Sequence, residues 1–208
     1  MKHSKYQRTY HHPLSMAVTS DDKRHSNDDC LKGREVWISE KRDGECTSMY
    51  NDHIHARSLD SKDHVSRHWV KQLWSSIKLD IPDNMKICGE NIYAKHSVFY
   101  DDLVSYFEVF NIWENDVCLS LEDTISYSNM LGLKMVPTIY EGPYDIGIIK
   151  DLIDNMDTKR MEGFVIRSVD SFSVKDFSSN VMKVVREGHV QTKNHWMHEA
   201  VTKNELRT

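Results

Sequence analysis

Arg34-Glu35-Val36-Trp37-Ile38-Ser39-Glu40-Lys41-Arg42-Asp43-Gly44 is an apolar run that ends in a cluster of charges and a turn. It reads as a strand over Arg34–Lys41, followed after Asp43-Gly44 by a second strand over Glu45–Tyr50, a hairpin-like signal. Lys41 carries the chemistry of the stretch. A lysine attacks only as the neutral amine, and burial beside another cation, here Arg42 in sequence, lowers its pKa toward that state. Gly44 lets the chain turn sharply and brings backbone close to a ligand. The same residues also describe an ordinary strand-turn-strand with a charged tip, so the choice falls to the rest of the chain.

The 208 residues suffice for one domain with a sizeable core. A formal net charge of -5 excludes binding to polyanions by bulk charge, so any nucleic-acid site is a local basic patch with salt-sensitive affinity. Cys30, Cys46, Cys88 and Cys118 are widely spaced and form no CxxC pair, which favours reduced thiols in a cytoplasm over disulfides or a zinc site. No apolar run is long enough for a membrane span, and the polar, His-rich N-terminus lacks the apolar core of a signal peptide. His11-His12, His53/His55 and His195/His198 lack further ligands at the right spacing and read as surface histidines, not a transition-metal centre.

Residues 1–33 are polar and turn-rich and read as an extended arm laid on the domain. His53–Arg57 is a short strand, and Asp60–Leu79 a helix in which Val65, Trp69, Leu73 and Ile77 recur every four residues behind an Asp60 or Ser61 cap. Met85–Tyr93, Leu103–Trp113, Val136–Tyr140, Gly163–Val169 and Val181–Arg186 are strand candidates. Leu121–Leu131, Tyr144–Met156 and a closing segment over His195–Leu206 read as helices. Strands clustered early and late around a few helices predict an α+β fold with mostly antiparallel sheets.

Short motifs follow Lys41 in a fixed order: His55-Ala56-Arg57-Ser58, Gly89-Glu90-Asn91-Ile92-Tyr93-Ala94-Lys95-His96-Ser97, Phe107–Ile112, Glu162–Arg167 and Val181–Arg186. With Lys41 they resemble motifs I, Ia, III, IIIa, IV and V of the covalent nucleotidyltransferases, which comprise RNA ligases, DNA ligases and mRNA capping enzymes. The text of residues 89–97 and 189–196 resembles most the ATP-dependent RNA ligases of the RNA ligase 2 type found in phages and bacteria. The resemblance runs from about Arg8 to Trp196. It implies an α+β adenylyltransferase (ATP-grasp-like ligase) domain over residues 34–208, two antiparallel sheets flanked by helices with the nucleotide between them. Residues 1–33 are then an arm packed on that domain. No C-terminal OB domain is expected, because Glu187–Thr208 are too few to form one.

The resemblance also implies roles. Lys41 would attack the α-phosphate of ATP, leaving AMP covalently on its amine. Asp43 either acts chemically or, the favoured reading, holds the turn. Glu40 lies near the adenine edge. Arg57 follows alternating residues, Ile54 and Ala56 opposite His53 and His55, so it can point into a cleft and touch the nucleotide. Glu90, a carboxylate in an apolar strand, needs a ribose hydroxyl or metal-bound water as partner. Phe110 stacks on the base while Phe107 is core. Asn111 stands where the family usually has Asp, losing the charge but keeping the shape. Glu162 binds Mg²⁺, and Lys183 grips the α-phosphate. Arg186 is either a second cation at the nucleotide or, being on the opposite strand face, a contact for RNA. His96-Ser97 either reach phosphate or are structural, and Arg8-Thr9-Tyr10 of the arm lie near the leaving group.

The activity implied is joining of 5′-phosphate and 3′-hydroxyl RNA ends through lysyl-AMP and RNA-adenylate, in the cytoplasm (the host's, for a phage-encoded chain), with no membrane and with an RNA end-healing kinase-phosphatase as a plausible partner. A DNA ligase or capping-type nucleotidyltransferase shares the lysine. A catalytically weakened nucleotide- or RNA-binding module would explain Asn111 and the altered motif V, in which Lys183 is not followed by a second lysine two residues on.

Overall fold

Strand β2 (Glu35–Lys41) is buried on both faces, which explains its unbroken apolar run. Val36 and Ile38 pack with Leu31, Phe164, Ile166 and Met182 in one core, while Trp37, Ser39 and Lys41 line a cleft on the other side. The computed structural model describes residues 1–17, 22–188 and 201–208. A five-stranded sheet is built from β1 (Tyr10–His11), β12 (Val181–Val185), β10 (Gly163–Ser168), β2 and β9 (Thr138–Pro143), in that spatial order. A second sheet of seven strands takes β11 (Phe172–Ser173), β7 (Val117–Cys118), β6 (Phe107–Glu114), β5 (Met85–Asn91), β3 (Glu45–Met49) and β4 (Ile54–Ala56), with β8 (Lys134–Met135) pairing beside β6. Pairing is antiparallel throughout these sheets except where β1 meets β12 and β8 meets β6.

Helices cover the outer faces. Helix α3 (Ile146–Asp154) seals the first sheet through Ile149, and α1 (His68–Ile77) seals the second through Val70 and Ile77. Helix α2 (Leu121–Met130) starts at Ser120, whose hydroxyl accepts from Asp123 N–H, and α4 (Phe177–Asn180) leads into β12. Among the described residues no helix is long and apolar enough to cross a membrane.

Three local readings need correction. The Asp43-Gly44 turn does not close a hairpin, because β2 and β3 belong to different sheets and the turn is the crossing between them. Both edges of β2 are already taken by β10 and β9. Gly44 instead presses on β5, where a Cβ would lie 2.5 Å from Asn91 O. The helix expected from Asp60 begins with a 3₁₀ turn at Val65–Arg67, with the His64 ring accepting from Ser66 N–H. Ser61 is unavailable as its cap because its hydroxyl accepts from Ala56 N–H at 3.1 Å. The third reading, a closing helix over His195–Leu206, lies outside the described residues up to residue 200. The remaining part is extended: Lys203 bridges Ala94 and Leu206 bridges Leu103, because this segment finds backbone partners in the 93–103 loop.

Candidate active site

Between the sheets lies a cleft of about 620 Å³. The strand that supplies Lys41 ends at its wall, and the backbone register fixes what faces the lysine. Lys41 pairs with Gly163, so Glu162 arrives beside it, and Ser39 pairs with Val165, which in turn pairs with Lys183. Lys41 Nζ donates to Glu162 Oε2 at 2.6 Å, with the lysine side chain 26% and the carboxylate 8% exposed. Burial lowers the Lys41 pKa, but the charges of Glu162 and Glu90 and the hydrogen bond to Glu162 outweigh it, so the net shift is upward. The lowering expected from Arg42 is therefore overturned. Arg42 turns away from the lysine, binding Glu108 Oε2 through Nε at 2.7 Å and Glu40 Oε1 at 2.8 Å, and lies 4.8 Å over the Tyr100 ring.

Glu90 lines the cleft from the opposite sheet. Burial lifts its pKa to about 8; Lys41 pulls it down, and the charges of Glu162 and Asp43 push it further up. This crowding of carboxylates is what a divalent cation relieves. Oxygen donors on one or two carboxylates, with the remaining shell left to water and phosphate, suit Mg²⁺. Among the described residues no three His, Cys, Asp or Glu side chains converge as a self-sufficient metal site.

Lys183 sits with Nζ 3.3 Å from Asp22 Oδ1 of the arm. Burial lowers its pKa, Asp22 opposes that, and Lys41, beyond β10 in the same sheet, reinforces it. Lys41 and Lys183 both line the cleft and offer two cations to an anionic ligand.

At the other end, β6 carries a bulge: Cys88 pairs with Asn111 and Gly89 with Val109, so Phe110 is the extra residue. The bulge breaks the alternation of the strand and lets both Phe110 and Asn111 line the cleft. Phe107 is fully buried in the core behind it. Tyr6 of the arm meets the Phe110 ring edge-on at 5.1 Å, and its hydroxyl accepts from Asn111 Nδ2 at 2.6 Å. The amide at position 111 therefore donates to an arm residue, where the expected carboxylate could only accept from the Tyr6 hydroxyl.

The remaining candidates divide. Arg57 is exposed and lines the cleft, as does Glu40, whose carboxylate is tied to Arg42. Asp43 holds the turn: its Oδ2 accepts from Ser97 N–H at 2.7 Å, Ser97 Oγ at 2.5 Å and Val98 N–H at 2.8 Å. His96 lines the cleft, while the Ser97 hydroxyl is spent on Asp43. Arg186, expected either at the nucleotide or on the opposite strand face, is not among the residues of the cleft. Its Nε donates to Met161 O at 3.0 Å, because an odd-numbered offset from Lys183 turns it to the other strand face. Tyr6, Asp22 and Arg167 also line the cleft and were not singled out from sequence. Arg167 is 2% exposed and donates to Leu119 O. The continuous apolar run of β10 carried no sign that Arg167 near its end turns inward, and Tyr6 and Asp22 come from an arm with no periodic pattern.

The RNA ligase family model matches residues 34–185. No curated protein matches the sequence significantly. Among solved structures, an archaeal ATP-dependent RNA ligase is similar at 18% identity and a TM-score of 0.56, over 77% of this chain and 44% of the other. A Naegleria gruberi RNA ligase mutant solved with ATP and Mn is similar at 14% identity and a TM-score of 0.52, over 80% and 54%. Another mutant of that ligase, with AMP and Mn, gives 13% identity and a TM-score of 0.54, over 79% and 53%. At such identities the likeness establishes a shared fold, and the chain spans about half the length of these ligases. With the family model covering the cleft from β2 to β12, the chain belongs to the RNA ligase family.

Proposed function

We propose that this chain is the adenylyltransferase domain (residues 34–208, with the 1–33 arm packed on it) of an ATP-dependent RNA ligase. The observation that carries the reading is Lys41 Nζ held at 2.6 Å by Glu162, with Lys183 on β12 of the same sheet and Phe110 on the opposite sheet's wall of the same cleft. In the first step Nζ attacks the α-phosphate of ATP, a P–N bond forms and pyrophosphate leaves. The amine must shed a proton beforehand, and Glu162 is the acceptor already bonded to it. Lys183 would stabilise the charge that builds on the α-phosphate, and electrostatic stabilisation of this kind is a large part of such a barrier. Mg²⁺, held through Glu162, would add charge neutralisation at the same phosphate. AMP then passes to a 5′-phosphate RNA end, and a 3′-hydroxyl displaces it. Phe110 offers the base a flat platform with Tyr6 braced behind it, and Arg57, Glu40 and Glu90 line the space left for sugar and base edge.

Such ends have to be supplied by an end-healing activity of the kinase-phosphatase kind. Four free cysteines suit the reducing cytoplasm in which that repair would run.

Incubation with α-labelled ATP and Mg²⁺, followed by denaturing electrophoresis, is the test. Wild type should carry label, and Lys41→Ala should carry none while melting as wild type does. Glu162→Ala and Lys183→Ala should each slow labelling by about 10²–10³-fold. Label that persists at wild-type level on Lys41→Ala sinks the proposal. Supplying 5′-phosphorylated RNA or DNA strands to the labelled enzyme separates RNA joining from DNA joining.

A further inference from the structure

We propose that residues 201–208 act as a strap that positions the nucleophile's turn, with Asn204 as the positioning residue. Asn204 has no exposed surface, and every polar group it owns is used. Its Nδ2 donates to Ile92 O at 2.9 Å and its Oδ1 accepts from Tyr100 N–H at 3.0 Å. Its backbone N–H donates to Tyr93 O at 2.9 Å, and its carbonyl accepts from the Tyr106 hydroxyl at 3.1 Å. Neighbouring strap residues add backbone bonds to Lys95, Leu103 and Tyr100.

The loop held in this way reaches the active site directly. The Tyr100 hydroxyl accepts from Asp43 N–H at 3.0 Å, and the Tyr100 ring lies under Arg42. Ser97 and Val98 of the same loop grip the Asp43 carboxylate. Lys41 and Gly44 flank these two residues, so the turn that sets the direction of the lysine is fixed from its outer side by the loop, and the loop by Asn204. None of the residues 201–208 lines the cleft. Loss of the strap should therefore misplace Nζ without removing a wall against which ATP binds. A misplacement of about 1 Å at a reacting group can cost on the order of 10² in rate.

The kinetic consequence rests on the adenylation proposed above; the mechanical link does not, and the experiment reads both on the full chain. Hydrogen–deuterium exchange of the nucleotide-free protein should show faster exchange at Asp43, Ser97 and Val98 in Asn204→Ala, with Val165 in β10 unchanged. Single-turnover lysyl-AMP formation should fall about 10-fold or more in Asn204→Ala and in Tyr100→Phe, which removes only the acceptor for Asp43 N–H, with the ATP concentration at half-maximal rate unchanged. The double variant should lose little beyond Asn204→Ala, since both substitutions cut one relay. Unchanged exchange at Asp43 and Val98 in Asn204→Ala overturns the proposal, even if wild type fails to label with ATP; that failure would sink the adenylation reading alone. Wild-type rates in Tyr100→Phe, or a loss confined to ATP affinity, overturn it equally.

Discussion

His12 belongs to the arm, has no exposed surface and is neutral in the fold. It was expected at the surface, as were His11 and His55, which also have almost no exposed area. The His12 Nδ1 accepts from Leu14 N–H at 3.1 Å, and its Nε2 bonds at 3.0 Å to the Tyr144 hydroxyl, which itself donates to Asp28. Burial lowers its pKa from 6.5 to about 4, with Asp28 opposing and His25 reinforcing the shift. Protonation would place a hydrogen on Nδ1 facing the Leu14 N–H. The sign follows: a base with a depressed folded pKa contributes fully above pH 6.5 and loses that contribution as pH falls toward 4, on the order of 3 kcal/mol across the window. Melting temperature should fall over this range in wild type and fall less in His12→Asn, which keeps an acceptor near Nδ1 but cannot titrate. Equal acid slopes would show that other groups control the transition. The two phenylalanines of β6 separate in the same residue-by-residue way. Phe107→Ala should cost roughly 3–5 kcal/mol of stability. Phe110→Ala, at the cleft wall, should weaken ATP use without admitting GTP, since stacking discriminates poorly among bases. Melting curves and adenylation kinetics with both nucleotides would show whether these assignments are reversed.

Elements position these residues, and Gly163 shows how tightly. A Cβ there would lie 2.0 Å from Val184 O, so β10 and β12 approach as only glycine allows. Gly163→Ala should push β12, and Lys183 with it, away from Glu162. The expected result is a loss of roughly 1–3 kcal/mol in melting experiments together with slowed adenylation; a variant that melts and labels as wild type would mean the two strands have slack. Such strands were legible in the sequence because burial and alternation are local: β2, β5, β10 and β12 fall within a few residues of their expected bounds. Partner choice was not. Nothing in Lys41–Gly44 says that β3 joins another sheet, because the decision lies with Asn91 and with the strands that already flank β2. Nor could the parallel pairing of Tyr10 and His11 with Met182 and Lys183 be read, although it brings the arm to the cleft. Lys41, Glu162 and Lys183, singled out from motif order, are brought together by the pairing of β10 with β2 and β12. Tyr6 and Asp22 depend on that long-range pairing and left no local signal.

At the scale of the whole molecule, charge separates the two halves of the proposed reaction. The chain carries a formal net charge of -5, so its bulk field repels RNA and attraction must come from cations at the cleft mouth such as the exposed Arg57. Lys41 and Lys183 are mostly buried between the sheets, and at physiological salt the Debye length of about 8 Å screens exposed charges far more than such enclosed pairs. Each RNA phosphate neutralised by a protein cation should add about -0.7 to the slope of log affinity against log salt for single strands. Two such contacts predict about a 7-fold loss of RNA affinity between roughly 50 and 200 mM salt. Lysyl-AMP formation, driven by groups inside the cleft, should change by less than about 2-fold over the same range. Measuring the labelling rate and the apparent affinity of pre-adenylated protein for 5′-phosphorylated RNA at four or five salt concentrations would test this separation. Parallel salt slopes for both would place the nucleotide's phosphates in open solvent and remove the distinction between an enclosed chemical site and an exposed RNA rim. A flat slope for RNA with affinity intact would mean that stacking and hydrogen bonds, not phosphate contacts, hold the strand.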